Sequence, residues 1–177
     1  MATPELVSDC SQCFGLCCVL LPFSASSGFG VDKPSGIPCL NLLDDDRCGI
    51  HATLREDGWP GCTVFECFGA GQQVSQVTYA GVSWREGGNR AEMGAVLTVM
   101  RQLHEMLVHL AEVERRAPAP EARAVSARVE ELTTADPETL LTTPRTECVL
   151  RPGHTGSHAD DVGCRWWPIN EEETPGA

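Results

Sequence analysis

From Glu92 to Arg116 apolar residues recur at steps of three and four. Met93, Val96, Met100, Leu103, Leu107 and Leu110 form one stripe, and Val99, Met106 and Val113 widen it. That spacing predicts a long amphipathic helix that packs broadly, ended by Pro118 and Pro120. A second helical pattern follows, with Val125, Val129 and Leu132 on one side and Arg123, Arg128, Glu130 and Glu131 elsewhere. Asp136-Pro137-Glu138 reads as an N-cap with proline at the first helical position, opening a short helix through Leu141. A helical hairpin is the expected product. Its second arm is shorter and less apolar, so the long helix is expected to pack on the remainder of the chain as well.

Upstream the periodicity lapses. Residues 1–75 hold eight of the ten cysteines and five of the twelve prolines. Val77 to Trp84 carries a weak strand or loop signal through Thr78, Tyr79 and Val82. The chain therefore divides into a cysteine-rich segment 1–75, a helical hairpin 76–142, and a C-terminal segment 143–177 with an acidic tail. The expected fold is mainly α: a cysteine-rich, loop-dominated metal-binding module packed on a helical hairpin, with a short C-terminal Cys/His knuckle. No internal repeat is present.

Charge narrows the partners. Thirteen basic residues against 25 acidic ones give a net charge of −12, which disfavours nucleic acid and anionic membrane surfaces. Lys33, the single lysine, follows Asp32 rather than glycine, so a P-loop is excluded. Met1 to Asp9 carries no basic residue, Phe14 to Phe23 is too short to span a bilayer, and no Asn-x-Ser/Thr sequon occurs. The expected location is cytoplasmic, where thiols stay reduced. Ten cysteines then read as metal ligands or redox groups, with a secreted disulfide scaffold as the alternative.

The strongest motif is Cys10-x-x-Cys13-x-x-x-Cys17-Cys18, followed by Cys39, Cys48, Cys62 and Cys67. On a helix Leu6, Cys10, Cys13 and Cys17 would share one face, with Cys18 turned about 100° away. The later cysteines sit beside turn formers (Pro38-Cys39, Cys48-Gly49, Gly61-Cys62), and loops of that kind can bring thiolates to a shared ion. Zinc and iron–sulfur clusters both take four such ligands. Eight thiolates suffice for two zincs, one binuclear site, or one [4Fe–4S] cluster plus four structural thiols. Cys48-x-x-His51 adds a nitrogen, although His51 also reads as a surface residue. Buried cysteine as simple core packing is the competing reading. Few large apolar side chains lie between residues 24 and 63, so metal coordination would supply much of the folding energy of this module.

CxxCxxxCC followed by four single cysteines resembles the cysteine-cluster family described as putative zinc- or iron-chelating domains. The resemblance covers about Cys10 to Phe68 and includes Asp46-Arg47-Cys48-Gly49-Ile50-His51 and Cys62-Thr63-Val64-Phe65-Glu66-Cys67. That family often has glycine directly after the second cysteine, where this chain has Phe14 and then Gly15. It implies thiolate-held zinc or iron. The stretch Gly69-Ala70-Gly71-Gln72 also resembles a segment ahead of pentapeptide repeats in some actinobacterial proteins, but no such repeats follow.

A second constellation is Cys148-x5-His154-x3-His158-x5-Cys164, with a His-x3-His spacing within the zinc range. Pro152-Gly153 and Thr155-Gly156-Ser157 break any helix there, so a closed structural zinc site would come from a tight loop, covered by Trp166 and Trp167. Solvent-facing loop residues are the alternative.

Other signals fail on spacing. His104 and His109 stand five apart, about 140° around a helix, so they do not share an ion as HExxH histidines do. Gly69-x-Gly71-x-x-Val74 lacks a third glycine. Asp44-Asp45-Asp46 lacks calcium-loop spacing and reads as a solvated turn. No nucleophile–base pair can be named. The leading expectation is a metal-binding module, structural or regulatory, holding Zn2+ (alternatively a [4Fe–4S] cluster or other iron) and meeting a protein partner through its helical part. The alternatives are an iron–sulfur redox protein or metalloenzyme, and a thiol sensor that releases zinc on oxidation.

Overall fold

The computed structural model describes residues 4–142 together with 158–159 and 165–166. The described chain is mainly helical. Residues as far as Leu141 make one compact unit, and Thr142–Ala177 make another.

The long apolar stripe folds as expected. Helix α1 spans Leu16–Leu20, α2 Pro60–Val64, α3 Ala70–Gln72, α4 Arg90–Arg116, α5 Pro120–Thr133 and α6 Pro137–Thr142. Asn89 caps α4 by accepting from the Glu92 amide at 3.3 Å. Arg116 ends α4 two residues before Pro118, while Pro120 becomes the first residue of α5. Helix α5 then folds back along α4, and Arg123 meets Glu114 at 3.4 Å. Asp136 caps α6 by accepting from the Thr139 amide at 2.9 Å.

The buried side of α4 is carried by Met93, Val96, Leu97, Met100, His104 and Leu107. Leu103 and Leu110 are only half-buried, and Val113 and Val125 are exposed. Helix α4 receives α1 and α3 as well as α5. One core results: Leu16, Val19 and Leu20 from α1, Ala70 and Val74, then Met93, Val96, Leu97 and Met100, closed by Leu140. The cysteine-rich part and the hairpin are therefore built on shared apolar contacts.

Cys10 to Cys17 is not one helix. A 3₁₀ turn at Cys10–Gln12 stops at extended Cys13, and α1 restarts after Gly15 in the left-handed region at φ +63°. Leu42 and the Asp46 carbonyl press on Gly15, so the chain turns where a helix would have run on. Of strand or loop, Val77 to Trp84 takes the second, as a run of turns. A π-helical turn at Gln73–Thr78 continues α3, and successive turns follow. The β-prone side chains here find other anchors: Tyr79 donates its hydroxyl to Glu92 at 2.8 Å, and Trp84 donates Nε1–H to the Phe14 carbonyl at 2.9 Å.

Residues 24–63 also hold more apolar packing than their composition implies. Phe23, Trp59 and Cys39 form a second small core, flanked by Phe29, Val31, Leu42, Ile50 and Leu54. Phe23 stacks on Phe29 at 4.5 Å and meets Trp59 edge-on at 6.1 Å. No described helix is long and apolar enough to cross a membrane. In the second unit His158–Ala159 (β1) pairs antiparallel with Arg165–Trp166 (β2).

Candidate metal centre

The cysteines reach this region on four separate pieces of chain. Residues 7–14, which carry Cys10 and Cys13, are fastened by polar side chains of the 72–76 turn. Gln72 accepts from the Asp9 amide at 2.7 Å and donates to the Val7 carbonyl at 2.9 Å. Ser75 accepts from the Phe14 amide at 3.1 Å, and Gln76 donates to the Gln12 carbonyl at 2.7 Å. Cys17 and Cys18 lie on α1, with sulfurs 4.0 Å apart.

Cys39 and Cys48 each open a tight turn. Leu42 N–H donates to the Cys39 carbonyl at 3.0 Å, and His51 N–H to the Cys48 carbonyl at 3.2 Å. Each sulfur also faces the amide two residues on: Asn41 N–H lies 3.5 Å from Cys39 Sγ, and Ile50 N–H bonds to Cys48 Sγ. The Ile50 amide favours the Cys48 thiolate. Cys62 sits in α2, which opens on Pro60, and Cys67 just precedes the tight turn Phe68–Gly69. That turn is held from α4. His104, fully buried, bonds through Nδ1 to the Phe68 carbonyl at 2.6 Å, and Arg101 donates to the Glu66 carbonyl at 3.0 Å.

All eight cysteines of residues 10–67 are free thiols, and only Cys39 is fully buried. Cys13 and Cys67 face one another across Gly71, where an added Cβ would lie 2.8 Å from one sulfur and 3.7 Å from the other. Cys10 feels the charges of Cys17 and Cys67, Cys62 those of Cys17, Cys39 and Cys48, and Cys48 those of Cys39 and Cys17. Every sulfur thus has another within electrostatic reach, and Cys17 stands at the centre of the group. As placed, however, no three Cys, His, Asp or Glu side chains among the described residues come close enough to hold one ion. The donors fit a thiophilic ion by their chemistry, not by a closed coordination polyhedron.

Burial, as the first cause, raises four of these thiols. It pushes Cys13 up to about 12 and Cys62 up to about 11, and it also raises Cys10 and Cys48. Cys17 lies well above its ordinary range, first through its bond with Cys18 and then through burial. At neutral pH these thiols keep their protons, and an ion would have to displace them.

Lys33 is the residue whose role composition did not disclose. Its Nζ is buried and donates to the carbonyls of Leu21 (2.6 Å), Ile37 (2.7 Å), Val19 and Pro34 (both 3.3 Å), with the Phe23 ring 4.6 Å away. Its charge faces Cys39, Cys18 and Cys17. The only lysine in the chain thus places a fixed positive charge beside the sulfurs. Lys33→Met is expected to lower stability by about 2–3 kcal/mol, read from the urea midpoint, because four carbonyls lose their donor.

His51 is exposed in a 3₁₀ turn. His104 is no ligand partner for His109, which is exposed; it is a core residue whose Nε2 has no partner among the described residues, and burial lowers its pKa, favouring the neutral ring. Asp46 is not a solvated residue: buried at φ +64°, it accepts from Arg85 Nε at 2.7 Å and from Ser83 Oγ at 3.0 Å. Cys148, His154 and Cys164 lie outside the described residues, and His158 lies in β1.

No family model matches this chain, and no solved structure does. One curated relative is 47% identical over 143 residues, the "Uncharacterized protein YybG" of Bacillus subtilis (strain 168). The match covers 78% of this chain and 51% of that protein. The chain thus spans about half the length of the curated relative it matches.

Proposed function

We propose that this protein binds zinc or iron through thiolates of Cys10, Cys13, Cys17, Cys18, Cys39, Cys48, Cys62 and Cys67, as a structural or regulatory module. One observation carries the reading. Each of the eight reduced sulfurs has another within electrostatic reach, Cys17 is shared by most of these pairs, and no disulfide joins any of the eight. Packing alone gives no reason to collect that many soft donors beside a buried cation, because burial raises five of the thiols and neighbouring sulfurs oppose their ionisation. A bound divalent ion would remove both costs.

The test is the metal content of the reduced full chain, purified without oxygen. Colourless protein with stoichiometric zinc, or brown protein with iron and acid-labile sulfide, is the expected outcome. Loss of that metal should follow replacement of these cysteines by serine. Metal-free protein that also fails to take up zinc or iron on titration would end the reading.

A further inference from the structure

The eight sulfurs do not scatter evenly; they fall against two different cores. Cys13 and Cys67 pack on the large core under α4, whereas Cys18, Cys39 and Cys62 pack on the small core of Phe23 and Trp59. Cys10 is a neighbour of Cys67, and Ser8 Oγ contacts Cys67 Sγ at 3.0 Å. On the other side Cys39 N–H donates to the Cys18 carbonyl at 2.9 Å, and Cys48 joins through the Leu42–Cys48 bridge. Cys17 and Cys18 divide the two groups. Their sulfurs lie 4.0 Å apart, so the pair stands where the groups meet; Cys17 goes with the first because Cys10, Cys13 and Cys67 all face it, and Cys18 goes with the second because it packs on the small core.

We propose two separate four-thiolate sites: Cys10, Cys13, Cys17 and Cys67 in one, and Cys18, Cys39, Cys48 and Cys62 in the other. This rests on the metal reading above and adds the number of ions and the assignment of ligands. Four sulfurs per ion match tetrahedral closure for zinc, and neither site keeps an open position. The two are built differently. The first hangs on α4 and the 72–76 turn. The second consists of two turns with amide-to-sulfur bonds, and Lys33 stands beside it as the counter-charge to a tetrathiolate. Amide donors and a nearby cation are the kind of outer partners that tune thiolate-held metals.

The experiment is a Co2+ titration of the reduced, metal-free full chain, followed by native mass spectrometry and by sulfur-to-cobalt absorption. Wild type is expected to take two ions, each with a four-thiolate spectrum. Cys39→Ser/Cys48→Ser and Cys13→Ser/Cys67→Ser should each keep one. The gentler Cys10→Ser, at an exposed thiol, and Cys48→Ser should each weaken one ion by more than about a hundredfold and leave the other unchanged. Helical circular dichroism identifies any variant that has lost the α4–α5 fold, and the single-site changes then decide. Wild type holding one ion, or any of these variants weakening both ions together, overturns the partition while the metal reading stands. Wild type that takes up no Co2+, and no zinc or iron, removes both.

Discussion

Replacing Gly69 by alanine is expected to destabilise the protein by about 3 kcal/mol or more. Gly69 adopts φ +80°, where an L side chain costs about 1–2 kcal/mol. A methyl group there would also lie 1.9 Å from the Glu5 carbonyl oxygen. That neighbour is backbone, so no rotamer change relieves the overlap, and overpacking of this kind adds about 1–3 kcal/mol. The segment forced away leads directly to Cys10 and Cys13, and the turn forced open holds Cys67. Urea unfolding of the metal-free chain reads the effect as a lowered midpoint at unchanged slope. Gly36→Ala is the control, since its added Cβ meets nothing within 4 Å, and only the cost of its φ of +77° remains. A Gly69→Ala midpoint no lower than that of Gly36→Ala would contradict the close approach.

That glycine marks the limit of what could be read from the chain alone. Helical spacing was legible wherever one face is buried along a whole element, as from Met93 to Leu107 and again in the Asp136 cap. It failed at Cys10–Cys17. The four-three-four spacing of Leu6, Cys10, Cys13 and Cys17 is helical, but Gly15 and the loop above it determine the backbone. The eight cysteines were legible as a group. Which core a cysteine packs on was not legible, because Cys13 and Cys67 meet the large core and Cys18, Cys39 and Cys62 the small one through long-range contacts. The anchoring roles of Gln72, Ser75 and Gln76 carried one sequence signal, polar side chains set around Val74. Lys33 carried a negative inference only. A lone lysine in an acidic chain says nothing of its burial until the carbonyls of Val19, Leu21, Pro34 and Ile37 are brought around it.

The metal-free protein should lose stability steeply in alkali, and the metal-loaded protein should not. In the unfolded chain each thiol ionises near its ordinary value of 9.0, while burial holds Cys62 protonated to about 11 and Cys13 to about 12. A raised native value contributes stability that is complete below pH 9 and is lost as pH climbs through the native value. Across that window each such thiol removes about 1.4 kcal/mol per pH unit. Cys17, also raised well above its ordinary range, adds to the same slope. Tyr79 contributes above pH 10 in both forms, since burial and Glu92 hold its proton. Lys33, lowered by burial, tilts the other way with a single charge. In the metal-loaded protein the ligand sulfurs are thiolates from the start, so their part of the slope disappears. Urea midpoints at pH 8, 9, 10 and 11 under reducing conditions, with and without zinc, should therefore diverge from pH 9 upward. Cys13→Ala should flatten the metal-free curve by about one proton's worth of slope. Parallel curves for the two forms would mean that the raised thiols are not the groups that take the ion.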